Sequence, residues 1–189
     1  MRIEDVFIDT FNILKDNFIV LFISFIILCF LSTISFGILS PFLIAGFIMM
    51  YKNAYEGKII TIDMLFAYKN KFLPLLGLVI LMLISIGIGT MLLIIPGLIL
   101  STMWLVAIPA MANEELSISE AIGASKKYIN EIGFPRVFAI IIIMFILYMI
   151  IVFTFKSGNF IISSLFSFIN IYVYGIIGVL YSKALQYET

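Results

Sequence analysis

The residues best suited to chemistry in this sequence are three glutamates that follow one another closely, Glu114, Glu115 and Glu120. Paired carboxylates can bind a divalent cation or exchange protons with a substrate. Ser117 and Glu120 also have the spacing of a capping box, in which each side chain accepts a hydrogen bond from the other residue's backbone N–H at a helix start. We favour this structural interpretation, and the acid–base role remains the alternative.

Other catalytic chemistry has little support in the sequence. The chain contains no histidine, and its one cysteine, Cys29, lies inside an apolar run. This composition excludes internal disulfides, His/Cys zinc sites, imidazole bases and Cys–His nucleophiles. The 11 basic and 11 acidic residues cancel, and no basic–aromatic pattern typical of nucleic-acid binding occurs. We therefore predict a non-catalytic protein with no cofactor, no metal and no nucleic-acid partner.

A second group of candidates is polar but uncharged. Asn170, Tyr172 and Tyr174 lie within an apolar run, where they would either line a ligand cavity or form hydrogen bonds between helices. Pro109 lies one turn before Asn113, where a proline would kink a helix and free a backbone carbonyl. Together with Glu114 and Glu115, these residues form the predicted ligand-cavity or hinge set.

The elements that must position these residues are apolar helices. Hydrophobic residues make up 63% of the chain and charged residues 12%, against about half and a quarter in soluble proteins. The mean hydropathy is +1.24. Because a membrane-spanning helix needs about 20 apolar residues, the chain has room for about six spans. We predict an all-α, polytopic membrane helix bundle that forms a single integral membrane domain over residues 1–189.

The six predicted spans pair into three hairpins, each with a short break between its two helices. The breaks lie at Pro41, at Ile95-Pro96-Gly97 and at the turn Lys156–Asn159, because proline interrupts helical hydrogen bonding and glycine permits a chain reversal. The predicted spans are Phe18–Ser40, Phe42–Tyr55, Phe72–Ile95, Leu98–Met111, Pro135–Phe155 and Phe160–Ala184.

An amphipathic surface helix precedes each hairpin. These helices are predicted over Arg2–Asn17, Thr61–Lys71 and Ser117–Glu131, the second with Thr61 as its N-cap and the third with the capping box. An acidic residue recurs near the start of each, which indicates three approximate repeats over residues 1–57, 58–114 and 115–189. The polar face of the first helix is acidic, which disfavours a role for that helix in binding anionic lipids.

The distribution of charge predicts the orientation. In the six-span arrangement all 11 basic residues except Lys156 fall on one side, together with every acidic residue. Lys and Arg are enriched in cytoplasmic loops, so we predict a multi-pass protein of the plasma membrane with both termini cytoplasmic. No ionisable residue falls in the middle of a predicted span, which argues against a pump built on buried carboxylates.

Several short motifs resemble those of a broad family of uncharacterised prokaryotic membrane proteins. The family includes the YciC-like proteins and the membrane domain of some glycerophosphodiester phosphodiesterases. The resemblance spans roughly residues 40 to 130 and implies a polytopic helical fold without established catalytic residues. The motifs are Pro41 with Gly46, Tyr51 and Gly57, then Leu65-Phe66, Ile95-Pro96-Gly97, Pro109, Leu116–Ala121 and Ser125.

Two classes of function follow from this pattern. The favoured one is to bind or transport a lipid or other amphiphile, or to act as the membrane partner of a transport system; the bilayer is then the main partner. The alternative is a structural, membrane-organising scaffold without a ligand. A hollow bundle interior would favour the first function, and a packed interior the second.

Overall fold

The computed structural model describes the backbone of residues 2–155 and 160–188 and the side chains of residues 2–149 and 169–187. All regular structure in these ranges is helical, which confirms the all-α class. Two short 3-10 segments, Ile62–Phe66 and Lys69–Lys71, follow the third helix. The α-helices are α1 (Ile3–Asp16), α2 (Phe18–Ile34), α3 (Ser40–Tyr55), α4 (Phe72–Leu92), α5 (Ile94–Met103), α6 (Ala107–Asn113), α7 (Ile118–Ile132), α8 (Phe134–Phe155) and α9 (Phe160–Glu188).

Helix α3 is the centre of the molecule. It contacts α1, α2, α4, α6 and α9, and most of its residues between Pro41 and Lys52 are buried. The close contacts depend on glycines, since a Cβ at Gly178 would lie 2.6 Å from the backbone oxygen of Ile48. In a membrane, lipid is as apolar as a leucine side chain, so helices associate through close packing of this kind.

The outer helices α2, α4 and α8 expose apolar side chains. On α4 alone, Leu73, Leu83 and Met91 are 73%, 68% and 90% exposed. Apolar patches of this extent on a folded surface indicate contact with a membrane or a partner. This surface and the composition are compatible with a membrane protein.

Two helical stretches in the described part of the chain are long and apolar enough to cross a membrane, Ile62–Leu92 and Ile94–Asn113. Two bent helix pairs pass the same test only when each is taken together, so the number of candidate spans is two, or four if each pair is one span. In these pairs, α1 meets α2 at 92° and α7 meets the described part of α8 at 101°.

The two bends have local causes. Asn17 ends α1 with its backbone N–H and its side-chain amide both donating to the carbonyl of Ile13, and α2 begins at the next residue. Gly133 ends α7 with φ of 105°, a conformation that strongly favours glycine. The amphipathic helices predicted over Arg2–Asn17 and Ser117–Glu131 are confirmed as α1 and α7.

Three local predictions are wrong. The segment predicted as the second surface helix forms the two 3-10 segments, in which the Thr61 side chain makes no capping bond. The first reversal lies at Phe36 and Gly37, both with positive φ, while Pro41 is accommodated in the first turn of α3. The second reversal is made by the extended Leu93, and Pro96 lies in the first turn of α5.

The fourth predicted span, Leu98–Met111, lies within the candidate span Ile94–Asn113, which contains one irregular turn. Residues 104–106 form a turn that separates α5 from α6. The turn predicted at Lys156–Asn159 lies outside the described residues.

Candidate functional site

Glu114 is the centre of a polar cluster. It follows the last residue of α6, and its Oε1 atom accepts hydrogen bonds from the hydroxyls of Tyr128 on α7, at 2.9 Å, and Tyr181 on α9, at 2.8 Å. The two tyrosine rings meet edge to face with centroids 5.8 Å apart, and both residues are buried. Charge-assisted bonds of this kind are about twice as strong as neutral ones, so Glu114 ties three helices together.

Lys71 stabilises the same helix end from another direction. Its ammonium donates to the backbone oxygens of Met111, Ala112 and Glu114 at 3.0, 3.0 and 2.8 Å. The last carbonyls of a helix have no intrahelical partner and carry partial negative charge, so a cation is favourable there.

The three glutamates of the predicted acid–base cluster take different roles. Glu114 bonds the tyrosines, Glu115 is exposed, and Glu120 forms the capping box with Ser117. The Ser117 hydroxyl, 2.6 Å away, holds the pKa of the Glu120 carboxyl below its ordinary value. Within the described residues, no group of three metal-ligating side chains could hold an ion. This arrangement supports the structural interpretation of these carboxylates.

Two of the predicted cavity residues of α9 serve as packing groups. The Tyr172 hydroxyl donates to the backbone oxygen of Phe7 at 2.7 Å, which ties α9 to α1. The Tyr174 ring meets the Phe47 ring edge to face in the core. Both side chains are thus used in contacts between helices. Asn170 is half-buried one turn before Tyr174.

Pro109 is buried in the first turn of α6, and the turn at residues 104–106 precedes it. The buried Ser125 of α7 occupies that turn: its hydroxyl donates to the Met103 oxygen at 2.9 Å and accepts from the Val106 N–H at 3.2 Å. A backbone N–H and carbonyl freed by the break are thereby both satisfied. The turn between α5 and α6, just before Pro109, is therefore held by hydrogen bonds from α7.

An apolar groove between α4 and the start of α7 is the feature best suited to a ligand. It has a volume of about 770 Å³ and is shallow and widely open to its surroundings. Its walls are almost entirely hydrocarbon, with two serines among the lining residues. The lining residues are Pro74, Leu81, Leu116, Ser117, Ile118, Ser119 and Ile122.

The start of α7 packs against α4 beside this groove. A Cβ on Gly77 of α4 would lie 3.0 Å from the Cδ1 atom of Ile118, so the Ile118 side chain packs directly against Gly77. The capping box then fixes the first turn of α7, with the Ser117 N–H donating to Glu120 at 2.8 Å. Leu81, which is 42% exposed, forms part of the opposite wall.

Sequence reasoning missed the groove, Lys71 and Ser125. Pro74 and Leu81 read as ordinary apolar positions of a span, and nothing in their spacing reveals that they face α7. The buried face of α7 does leave a signal, because Ala121, Ser125, Tyr128 and Ile132 recur with helical spacing.

No protein-family model, curated protein or solved structure matches this chain. The resemblance to the YciC-like proteins remains a prediction.

Proposed function

We propose that this protein is a non-catalytic, multi-pass membrane protein that binds a lipid or similar amphiphile in the groove between α4 and α7. The observation that carries the proposal is the groove itself: a wide, mostly apolar depression of about 770 Å³ with two serines among its lining residues. Hydrocarbon walls with a few polar groups suit a molecule with a long chain and a polar head.

The proposed arrangement in the membrane has six spans in three hairpins, with α1 and α7 in the plane of the cytoplasmic interface. The bends of 92° and 101° support it, since an amphipathic helix in the interface must turn by about a right angle to enter the bilayer. Helices α2 and α3, with 17 and 16 residues, are about 25 Å long, close to the lower limit for a span.

Contacts between charged and polar residues support a common cytoplasmic end. Lys183 of α9 pairs with Asp9 of α1 at 2.7 Å and lies over the Tyr55 ring, next to the end of α3. Two residues before Lys183, the Tyr181 hydroxyl donates to the carboxylate of Glu114, the residue that follows α6. Residues from the first, second and third predicted repeats thus meet around the last turns of α9.

A native mass spectrum of the protein released from mild detergent tests the proposal. We expect one retained lipid class on the wild type and its loss in Leu81→Trp, whose larger ring obstructs the groove. Leu83→Trp is the matched control, because Leu83 lies on the same helix, is 68% exposed and does not line the groove. An unselective lipid smear, or equal retention by both variants, would contradict the proposal.

The scaffold function is supported by the packed interior, the feature that we expected to favour it over ligand binding. The described bundle interior is packed around α3, with Tyr51 and Phe47 fully buried and α9 approaching closely at Gly175 and Gly178. A lipid would therefore bind at the periphery. A native mass spectrum that shows the protein without bound lipid, together with deformation of vesicles by the purified protein, would favour the scaffold function.

A further inference from the structure

We infer that Lys71 is a positioning residue for the groove: through Glu114 it links α4 to α7 and thereby sets the separation of the two groove walls. This inference rests on the proposed function and adds the contact that keeps the groove in a shape that binds an amphiphile. Lys71 lies one residue before α4, whose first turn contains the lining residue Pro74. Glu114 lies two residues before Leu116, which lines the groove from the other side.

The ammonium of Lys71 holds the end of α6. It donates to the backbone oxygens of Met111, Ala112 and Glu114 at 3.0, 3.0 and 2.8 Å. The Glu114 N–H donates to the Ala110 oxygen at the end of this helix, and the carbonyls that follow have no partner within it. Met111 and Ala112 are almost fully buried, so water is a poor substitute for the ammonium. The end of α6 is therefore fixed to the start of α4.

Glu114 extends this restraint to α7. Its carboxylate accepts a hydrogen bond from the Tyr128 hydroxyl of α7 at 2.9 Å, while its backbone oxygen accepts from Lys71. A continuous chain of hydrogen bonds, Lys71–Glu114–Tyr128, thus runs from the start of α4 to α7. Tyr181 of α9 donates to the same carboxylate oxygen, so the connecting residue is itself anchored to a third helix.

The separation of the two walls matters because the groove is shallow. Beside it, Ile118 of α7 packs against Gly77 of α4. Apolar contacts have no preferred direction, whereas hydrogen bonds depend on distance and angle. The hydrogen-bonded chain therefore restrains the position of α7 in a way that packing alone does not. An acyl chain must touch Leu81 on one helix and Ile122 on the other at the same time, and a small increase in separation removes one of these contacts.

Lipid titration of the delipidated full chain, followed by native mass spectrometry, tests this inference. The probes are phosphatidylglycerol and phosphatidylcholine with identical acyl chains. We expect Lys71→Met, which cannot donate, to bind both lipids about tenfold more weakly, because apparent affinity falls with the fraction of molecules in the binding-competent arrangement. Lys71→Arg restores a cationic donor and should recover most of the affinity. Lys69→Met is the matched control, because it removes the same charge from an exposed lysine two residues earlier.

A distance measurement separates positioning from a general loss of stability. Spin labels on Leu83→Cys of α4 and Lys126→Cys of α7, in a Cys29→Ser background, report the separation of the two helices by pulsed electron paramagnetic resonance. The distance distribution should broaden in Lys71→Met and return to that of the wild type in Lys71→Arg. Gly178→Ala, which overpacks the crossing of α3 and α9, should change neither this distance nor the affinity for lipid.

The outcomes separate the two proposals. If Leu81→Trp abolishes binding while Lys71→Met binds both lipids as the wild type does, the positioning inference is wrong and the groove remains the binding site. A loss confined to phosphatidylglycerol would mean that the lysine contacts the headgroup directly, and an equal loss in Gly178→Ala would mean general destabilisation; either result overturns the inference. An unchanged distance distribution in Lys71→Met overturns it too.

A second variant keeps the test decisive if Lys71→Met does not fold. Tyr128→Phe retains the ring and removes only the hydroxyl that donates to Glu114, so it breaks the same chain at its other end. It should also weaken the binding of both lipids, and unchanged affinity would contradict the inference. If Leu81→Trp changes nothing, the groove is not the site and both proposals are wrong.

Discussion

At the scale of single residues, Glu114 holds together parts of the chain that are far apart in sequence. Its carboxylate accepts from Tyr128 and Tyr181, while the ammonium of Lys71 bonds the backbone oxygen of the same residue. A charged acceptor that satisfies the hydroxyls of two buried residues is costly to weaken, because each of those hydrogen bonds becomes weaker with it.

Replacing Glu114 by glutamine is expected to destabilise the protein by about 1–2 kcal/mol, because two charge-assisted hydrogen bonds become neutral ones. Thermal unfolding in detergent, followed by circular dichroism, measures the change. Glu115→Gln removes the same charge from an exposed neighbour and should leave the unfolding temperature unchanged. Equal effects of the two variants would show that the tyrosine contacts contribute nothing.

The ion pairs of Glu56 with Lys52 and Lys58 make the stability of the protein depend on pH. Burial alone would raise the pKa of this carboxyl, but hydrogen bonds from the Lys52 and Lys58 ammonium groups outweigh it and hold the pKa below its ordinary value of 4.5. The unfolded chain therefore binds the proton more tightly. The stabilisation is fully present above about pH 4.5 and is lost as the pH falls through the lower folded value.

The unfolding temperature of the wild type should accordingly fall as the pH is lowered below about 4.5, and Glu56→Gln should reduce that fall. Melting curves between about pH 3 and pH 7 measure this. An identical acid-side slope in wild type and variant would contradict the role given to Glu56.

Some residue roles are readable from sequence and others are not. The capping box of Ser117 and Glu120 is local, so its spacing of three residues was sufficient to predict it. Lys71 and Ser125 act on backbone atoms about 40 and 20 residues away along the chain. Such contacts depend on how helices pack, and no local pattern encodes them.

At the scale of elements, the core is built around the close crossing of α3 and α9. A Cβ at Gly175 would lie 2.6 Å from the Tyr51 ring, and one at Gly178 equally close to the Ile48 backbone oxygen. At Gly178 the atom in the way is a backbone oxygen, which cannot move aside as a flexible side chain could. Both glycines are therefore packing positions at this crossing.

Gly178→Ala is therefore expected to lower stability by about 1–3 kcal/mol through overpacking. Gly87→Ala is the control: its Cβ meets nothing within 4 Å, and alanine is the better helix former by about 1 kcal/mol. Thermal unfolding of the two variants side by side should give changes of opposite sign. A neutral Gly178→Ala would mean that α3 and α9 are less closely packed.

Helix identity was predicted better than helix ends. The long apolar runs and the 3.6-residue periodicity of α1 and α7 indicate helices regardless of context. Pro41 and Pro96 were read as breaks, yet both lie in first turns, where the missing N–H costs nothing. The chain reverses at Gly37 and Leu93 instead, four and three residues before these prolines. The positions of these reversals depend on how the helices of each hairpin pack.

At the scale of the whole molecule, the proposed topology places all charge outside Lys156 on one side of the membrane. Cysteine labelling tests it in a Cys29→Ser background. Lys58→Cys and Glu131→Cys should react with an impermeant maleimide only after cells are opened, and Phe36→Cys, 95% exposed at the first reversal, should react in intact cells. Labelling of Lys58→Cys from outside would contradict the orientation.

The apolar exterior could be predicted from composition alone, because a chain of 189 residues with 63% hydrophobic residues cannot bury all of them in a small core. The site could not. Its walls come from Pro74 and Leu81 on one helix and Ile118 and Ile122 on another. Apolar residues face lipid, core and groove alike, so sequence pattern does not separate the three.

The central claim is that a lipid occupies the groove between α4 and α7, and photo-crosslinking tests it most directly. Phosphatidylglycerol with a photoactivatable acyl chain is added to the purified protein, and the crosslinked peptides are mapped. The account predicts crosslinks concentrated in residues 72–82 and 116–123 and lost in Leu81→Trp. Crosslinks spread evenly over the exposed faces of α2, α4 and α8, unchanged in that variant, would contradict it.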